Sequence, residues 1–148
     1  AARAAASASG LIKPTPGDEV ETGRVVATEV ARLWAGEAVP PLLSSFSPEA
    51  LAAARDADSR WPRALLLDTL RDGWFDEVRA LGCVAVVTNF RVMDAAVIAQ
   101  LHGAGLRALV YTVNDEADAQ RLLALGIDGI ITDAVDRFSP AQVLPAQR

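Results

Sequence analysis

A repeated pairing limits what this chain can fold into more than any other feature. A short, uniformly apolar run is followed by a segment with apolar residues at helical spacing, and the pair then recurs. "RALLLD" (63–68) precedes "GWFDEVRALG" (73–82), "CVAVVTN" (83–89) precedes "MDAAVIAQLHGAG" (93–105), and "RALVYTVN" (107–114) precedes "DEADAQRLLALG" (115–126), with "IDGIITD" (127–133) closing the series. Upstream, "SGLIKPTPG" (9–17) leads into "GDEVETGRVVATEVARLWAG" (17–36), and "PPLLSSF" (40–46) leads into "PEALAAARDA" (48–57). Strands apolar on both faces, each separated from the next by one helix, predict a parallel sheet covered by helices, with about six strands.

Local signals mark the boundaries. In the first helix Val20, Val25, Val26, Val30, Leu33 and Trp34 are the expected buried face. Ser47, Pro48 and Glu49 supply an N-cap, a proline at the first helical position and an early acid. "GAGLRA" (103–108) matches the dinucleotide fingerprint in letters only, because it follows a helix and precedes a strand. Gly103 and Gly105 are expected simply to end that helix.

An open doubly wound sheet and a closed (β/α)8 barrel both satisfy this alternation. A whole barrel takes roughly 200–250 residues and eight strands, more than the 148 residues here. The strand ends nevertheless favour part of a barrel. Lys13, Ser45 with Phe46, Asp68, Asn89, Tyr111 with Asn114, and Asp133 all stand where a strand gives way to the following loop, the position from which barrel active sites are built.

Lys13, stopped by Pro-Thr-Pro-Gly, is placed for chemistry on an anion, although no acid or histidine lies beside it in sequence. Tyr111 is expected on the inner sheet face together with Val113, with Val110 and Thr112 opposite. Asp68 and Asp133 either face a site or cap the next helix. His102, the single histidine, falls in the last turn of a helix, where it complements the dipole. Trp34, Trp61 and Trp74 lie in separate segments and are expected to pack rather than to box a ligand.

A net charge of −5 argues against a nucleic-acid partner. No apolar run approaches the roughly 18 residues of a membrane span. One cysteine, Cys83, excludes an internal disulfide, fits a reducing compartment and reads as a small buried hydrophobe. Residues 1–10, "AARAAASASG", read as an alanine-rich arm, disordered or foreign to the fold, with residues 11–140 forming the body and 141–148 a tail.

Together "IKPTPG", "LWAGEAVPPLLSSFSPEAL", "LGCVAVVTN", "GLRALVYTVND" and "GIDGIITDAVDRF" resemble the C-terminal portion of bacterial glycerophosphodiester phosphodiesterases, especially the cytoplasmic type associated with glycerol phosphate uptake. The resemblance implies a partial TIM barrel and hydrolysis of glycerophosphodiesters, such as glycerophosphocholine or glycerophosphoethanolamine, to glycerol 3-phosphate and an alcohol. It also implies a divalent metal, Ca2+ or Mg2+, and a histidine pair as acid and base, with the histidines and the early metal-binding acids lying upstream of the matched region in the family. Lys13 matches the lysine of the family's Glu-Ile-Lys-Pro motif, which contacts the phosphate or supports the metal. Phe46, Asn89 and Tyr111 match pocket-lining positions. Leu11 stands where the family has a metal-ligating glutamate, so no metal ligand is assigned. The expected chain is inactive alone and self-associates through open barrel edges. The competing expectations are a non-catalytic partial barrel that serves binding or assembly, and an unrelated doubly wound ligand binder.

Overall fold

A computed structural model of the chain describes residues 9–134, 136 and 137. The expectations for residues 1–8 and for the tail at 141–148 lie outside the described residues. Six strands alternate with five helices: β1 (Ser9–Ile12), α1 (Glu19–Leu33), β2 (Leu42–Ser45), α2 (Pro48–Ala57), β3 (Arg63–Leu67), α3 (Trp74–Ala80), β4 (Ala85–Asn89), α4 (Ala95–Gly103), β5 (Arg107–Tyr111), α5 (Glu116–Leu125) and β6 (Gly129–Ile130). Ser9 and Gly10 belong to β1, so the ordered strand begins within the segment read as an arm. The expected N-cap is present, with the Ser47 hydroxyl accepting from the Ala50 N–H at 3.1 Å.

All five strand pairings are parallel, in the unbroken order β1-β2-β3-β4-β5-β6. A doubly wound sheet reverses its strand order at a switch point. An unbroken order does not, and with crossovers of a single hand it keeps every helix on one face. The helix-covered face carries Ile12, Leu43, Leu65, Leu67, Val86, Ala108 and Val110, which pack with residues of α1, α2, α4 and α5. The opposite face carries Ala64, Leu66, Ala85 and Val87, with Leu42, Leu109 and Tyr111 against them. Curvature is evident from the inner side chains. Phe46, just past β2, meets Tyr111, the last residue of β5, edge to face with ring centroids 5.9 Å apart. Three strand steps on a flat sheet would separate them by roughly 14 Å, so the sheet curls as part of a (β/α)8 barrel.

Two expectations are corrected. In α1 the buried positions are Gly23 and Ala27, with Val26, Val30, Ala31 and Trp34 partly covered. Val20, Val25 and Leu33 face solvent. The helix turns its small residues inward because α2 crosses closely there: a Cβ on Gly23 would stand 2.9 Å from the Ala50 carbonyl carbon. Val113 does not share Tyr111's face but lies buried in the helix-side core, since β5 ends at Tyr111 and strand alternation stops with it.

Cys83 is buried in the larger core, and burial pushes its thiol up to about 11, with the nearby Arg63 cation only partly opposing this. The folded chain therefore holds the thiol proton more tightly than the unfolded chain does. Its contribution to stability is complete below about pH 9 and is lost as the pH rises towards about 11. A disulfide reagent at pH 7.5 is expected to label Cys83 only at the rate of unfolding. Rapid labelling of the native chain would refute its burial.

Candidate functional site

The C-terminal ends of β1 to β5 bring the candidate residues to one rim. Asn89 and Tyr111 end β4 and β5, while Lys13, Phe46 and Asp68 each follow the last residue of β1, β2 and β3; Phe46 packs on Tyr111, and Asp68 bonds to both Tyr111 and Asn89. Ser45 anchors Lys13 and Phe46. Fully buried, it donates from its hydroxyl to the Ile12 carbonyl at 2.7 Å and accepts from the Ser47 N–H at 3.0 Å. That tie fixes the end of β1, and so the base of Lys13, against the turn that carries Phe46. Lys13 and Phe46 then line one open cleft of about 390 Å³, together with Pro14, Glu19 and Glu49.

Asp68 is the hub of the other half of the rim. Its Oδ1 accepts from the Tyr111 hydroxyl at 3.0 Å and from Asn89 Nδ2 at 3.3 Å. The Asn89 side chain is oriented by its own Oδ1, which accepts from the Arg91 N–H at 3.1 Å. Burial, reinforced by the bond to Asp68, pushes the Tyr111 phenol up to about 12, so the hydroxyl keeps its proton and remains a donor near neutral pH. Asp68 therefore does not cap a helix, one of the two roles open to it in the sequence. Its strand-end position was the signal for the other.

Asn114 and Asp133 form a separate group beside β6, where Asn114 Oδ1 accepts from Thr132 Oγ1 at 2.9 Å and from the Asp133 N–H at 3.1 Å. His102 lies elsewhere. Its Nε2 is 2.7 Å from Asp128 Oδ2, which also accepts from the Ala108 N–H at 2.8 Å. Ala108 and Asp128 sit where β5 and β6 begin, so this histidine occupies the opposite end of the sheet from Lys13.

A metal finds no seat among these residues. Leu11, at the position where the family resemblance places a ligating glutamate, is apolar and 57% exposed on the inner face. Among the described residues no three His, Cys, Asp or Glu side chains gather closely enough to hold an ion. No helix among the described residues is long and apolar enough to cross a membrane.

Residues 12–137 match the model of the glycerophosphoryl diester phosphodiesterase family. The chain is 28% identical over 102 residues to a glycerophosphodiester phosphodiesterase of Bacillus subtilis, an alignment covering 66% of this chain and 34% of the relative. Its backbone is similar to that of an Oleispira antarctica phosphodiesterase solved in complex with the product sn-glycerol-3-phosphate, with a TM-score of 0.81 and 24% identity over 93% of this chain and 54% of that one. A glycerophosphodiester phosphodiesterase from Parabacteroides distasonis gives a TM-score of 0.72 at 18% identity, covering 90% of this chain and 54% of that one. The chain thus spans about a third of the curated relative and about half of these structures.

Proposed function

This chain belongs to the glycerophosphoryl diester phosphodiesterase family, and from that premise we propose that it forms one wall of a glycerophosphodiester-binding site, with Lys13 as the phosphate-facing cation. The convergence of Lys13, Phe46, Asn89 and Tyr111 on one rim of the inner sheet face carries this reading. A phosphodiester bears one negative charge, and the ammonium of a lysine at a strand end is a point charge that can offset it. Phe46 and Tyr111 give the carbon skeleton an apolar surface, while Asn89 holds the Asp68 carboxylate in place.

Hydrolysis to glycerol 3-phosphate and an alcohol needs a group to move protons and, by the family resemblance, Ca2+ or Mg2+. Within this chain His102 lies at the far end of the sheet, and the residues on the rim do not fit a metal. We therefore assign no chemical step to these residues beyond binding and orienting the diester. Acid, base and metal ligands must come from outside this chain, in a cytoplasmic setting by the same resemblance. A non-catalytic binding or assembly role is the second reading, favoured by the same lack of a metal cluster among the described residues. β1 and β6 each pair on one side only among the described residues, and such open edges favour self-association. Sedimentation at several concentrations should show mass rising with concentration, and a strict monomer would oppose this.

The test measures release of glycerol 3-phosphate from glycerophosphocholine with Ca2+ or Mg2+ and with EDTA, alongside binding of glycerol 3-phosphate. The folded chain is expected to bind the product, with affinity falling several-fold in Lys13→Ala, and to show no EDTA-sensitive turnover. Turnover at an ordinary enzymatic rate, roughly 1–1,000 per second, would overturn the inactivity. Unchanged binding in Lys13→Ala would remove that residue from the site.

A further inference from the structure

The cleft at Lys13 is short of positive charge and of free hydrogen-bond donors. Glu19 and Glu49, in the first turns of α1 and α2, both line it. Their carboxylates answer the positive ends of their own helices, which would otherwise draw an anion. Glu19 accepts the Gly17 N–H on both oxygens, at 3.1 and 3.0 Å, and this bond holds its carboxyl below the usual range, so that it stays ionised. Glu49 Oε2 accepts from the Ser47 hydroxyl at 3.2 Å. The backbone adds little. Pro14, Pro16 and Pro48 have no N–H to offer, the Ser47 N–H is held by the Ser45 hydroxyl, and the Ala50 N–H by the Ser47 hydroxyl. Among the described residues lining the cleft Lys13 is the single cation, and none of the ion pairs among the described residues uses it. One uncommitted ammonium matches one negative charge.

We propose that Glu19 and Glu49 are specificity-determining residues, which let the cleft hold a singly charged phosphodiester and make it shed a doubly charged phosphate monoester. This rests on the phosphodiester-binding reading above and extends it from what the site admits to what it releases. A phosphate monoester carries close to two negative charges above neutral pH. Its second charge meets two carboxylates where a second cation would be needed, and repulsion grows in proportion to ligand charge. Glycerol 3-phosphate, the monoester that hydrolysis of such a diester leaves, is therefore the weaker ligand of the two.

Calorimetric titration with glycerophosphoglycerol and with glycerol 3-phosphate tests this at about pH 8, where the monoester is a dianion, with EDTA present so that no divalent ion bridges ligand and carboxylates. The wild-type chain is expected to bind the diester at least about fivefold more tightly. Glu19→Gln and Glu49→Gln each keep an oxygen to accept from the Gly17 N–H or the Ser47 hydroxyl while removing a charge. Together they are expected to raise monoester affinity about fivefold and diester affinity only about twofold. A salt series on the wild type needs no substitution, so it holds whatever the double variant does to folding. At 1 M salt charges are screened beyond about 3 Å, and the preference should shrink, whereas one based on ligand size would not. Equal wild-type affinities, a preference unchanged at high salt, or one unchanged in a folded double variant would overturn the role of the two glutamates and leave diester binding standing. If a chain shown to be folded by circular dichroism binds neither ligand, both this role and the reading beneath it fall.

Discussion

Gly23→Ala is expected to destabilise the chain by about 1–3 kcal/mol, the usual range for overpacking a well-packed contact, although alanine is the better helix former by roughly 1 kcal/mol. The sign is decided by what faces the residue. Gly23 lies in the interior of α1 on its buried face, where an added Cβ would run into the Ala50 carbonyl group of α2. That obstacle is backbone in the first turn of a helix capped by Ser47, so it cannot turn aside as a long side chain would. The two helices must separate, and their separation loosens the small core of Ile12, Leu43, Ala54 and Trp61 beneath them. In a chain of this size each kcal/mol lowers the thermal midpoint by roughly 2–4 °C. A raised midpoint would show that α1 accommodates the methyl group and that propensity governs the site. The same core supports the end of β1, after which Lys13 follows, so the proposed diester binding should weaken with it.

Arg63 carries the other large effect. It opens β3 at the end of the sheet remote from the rim and is 7% exposed, without a carboxylate partner among the described residues. Its guanidinium donates instead to four carbonyls: Trp61 at 2.9 Å, Gly82 at 3.3 Å, and Ser59 and Leu81 at 3.4 Å each. The fork therefore joins the loop before β3 to the loop between α3 and β4. Burial lowers the tendency of this group to stay charged, an opposing cost that the four acceptors offset. Arg63→Ala leaves the buried Trp61 and Leu81 carbonyls short of a donor, at about 1–3 kcal/mol for each group left unsatisfied, besides opening a cavity. Arg63→Met retains most of the stem and removes the fork. Urea unfolding should place Met well below the wild type and only slightly above Ala. A Met variant as stable as wild type would show that the stem packs and the fork is dispensable. The diester binding proposed for the opposite end of the sheet should survive in whatever fraction remains folded.

Much of this architecture was legible in the chain itself. Every strand and helix expected from the alternation is present, and α2 begins at Pro48 as its capping residues require. Apolar runs flanked by glycine, proline and capping residues encode local structure directly, because the signal and its effect lie within a few residues of each other. The choice between an open and a curled sheet was less direct. It rested on polar residues at strand ends, and the contact between Phe46 and Tyr111 decides it. At the site, Lys13, Phe46, Asn89 and Tyr111 could be named as candidates one at a time. That Asp68 is the residue joining Asn89 to Tyr111 could not, since partners 21 and 43 residues away leave no local trace.

By itself, then, the sequence determined the order and type of the elements, the parallel sense of the sheet and the end of it at which polar residues collect, all of which follow from short-range periodicity and turn chemistry. Tertiary structure alone decided which face of α1 is buried, that Val113 parts company with Tyr111, that Arg63 clamps two loops and that a single carboxylate organises the rim. Each of those outcomes depends on the distance between residues far apart in the chain, and that distance exists only once the sheet has curled.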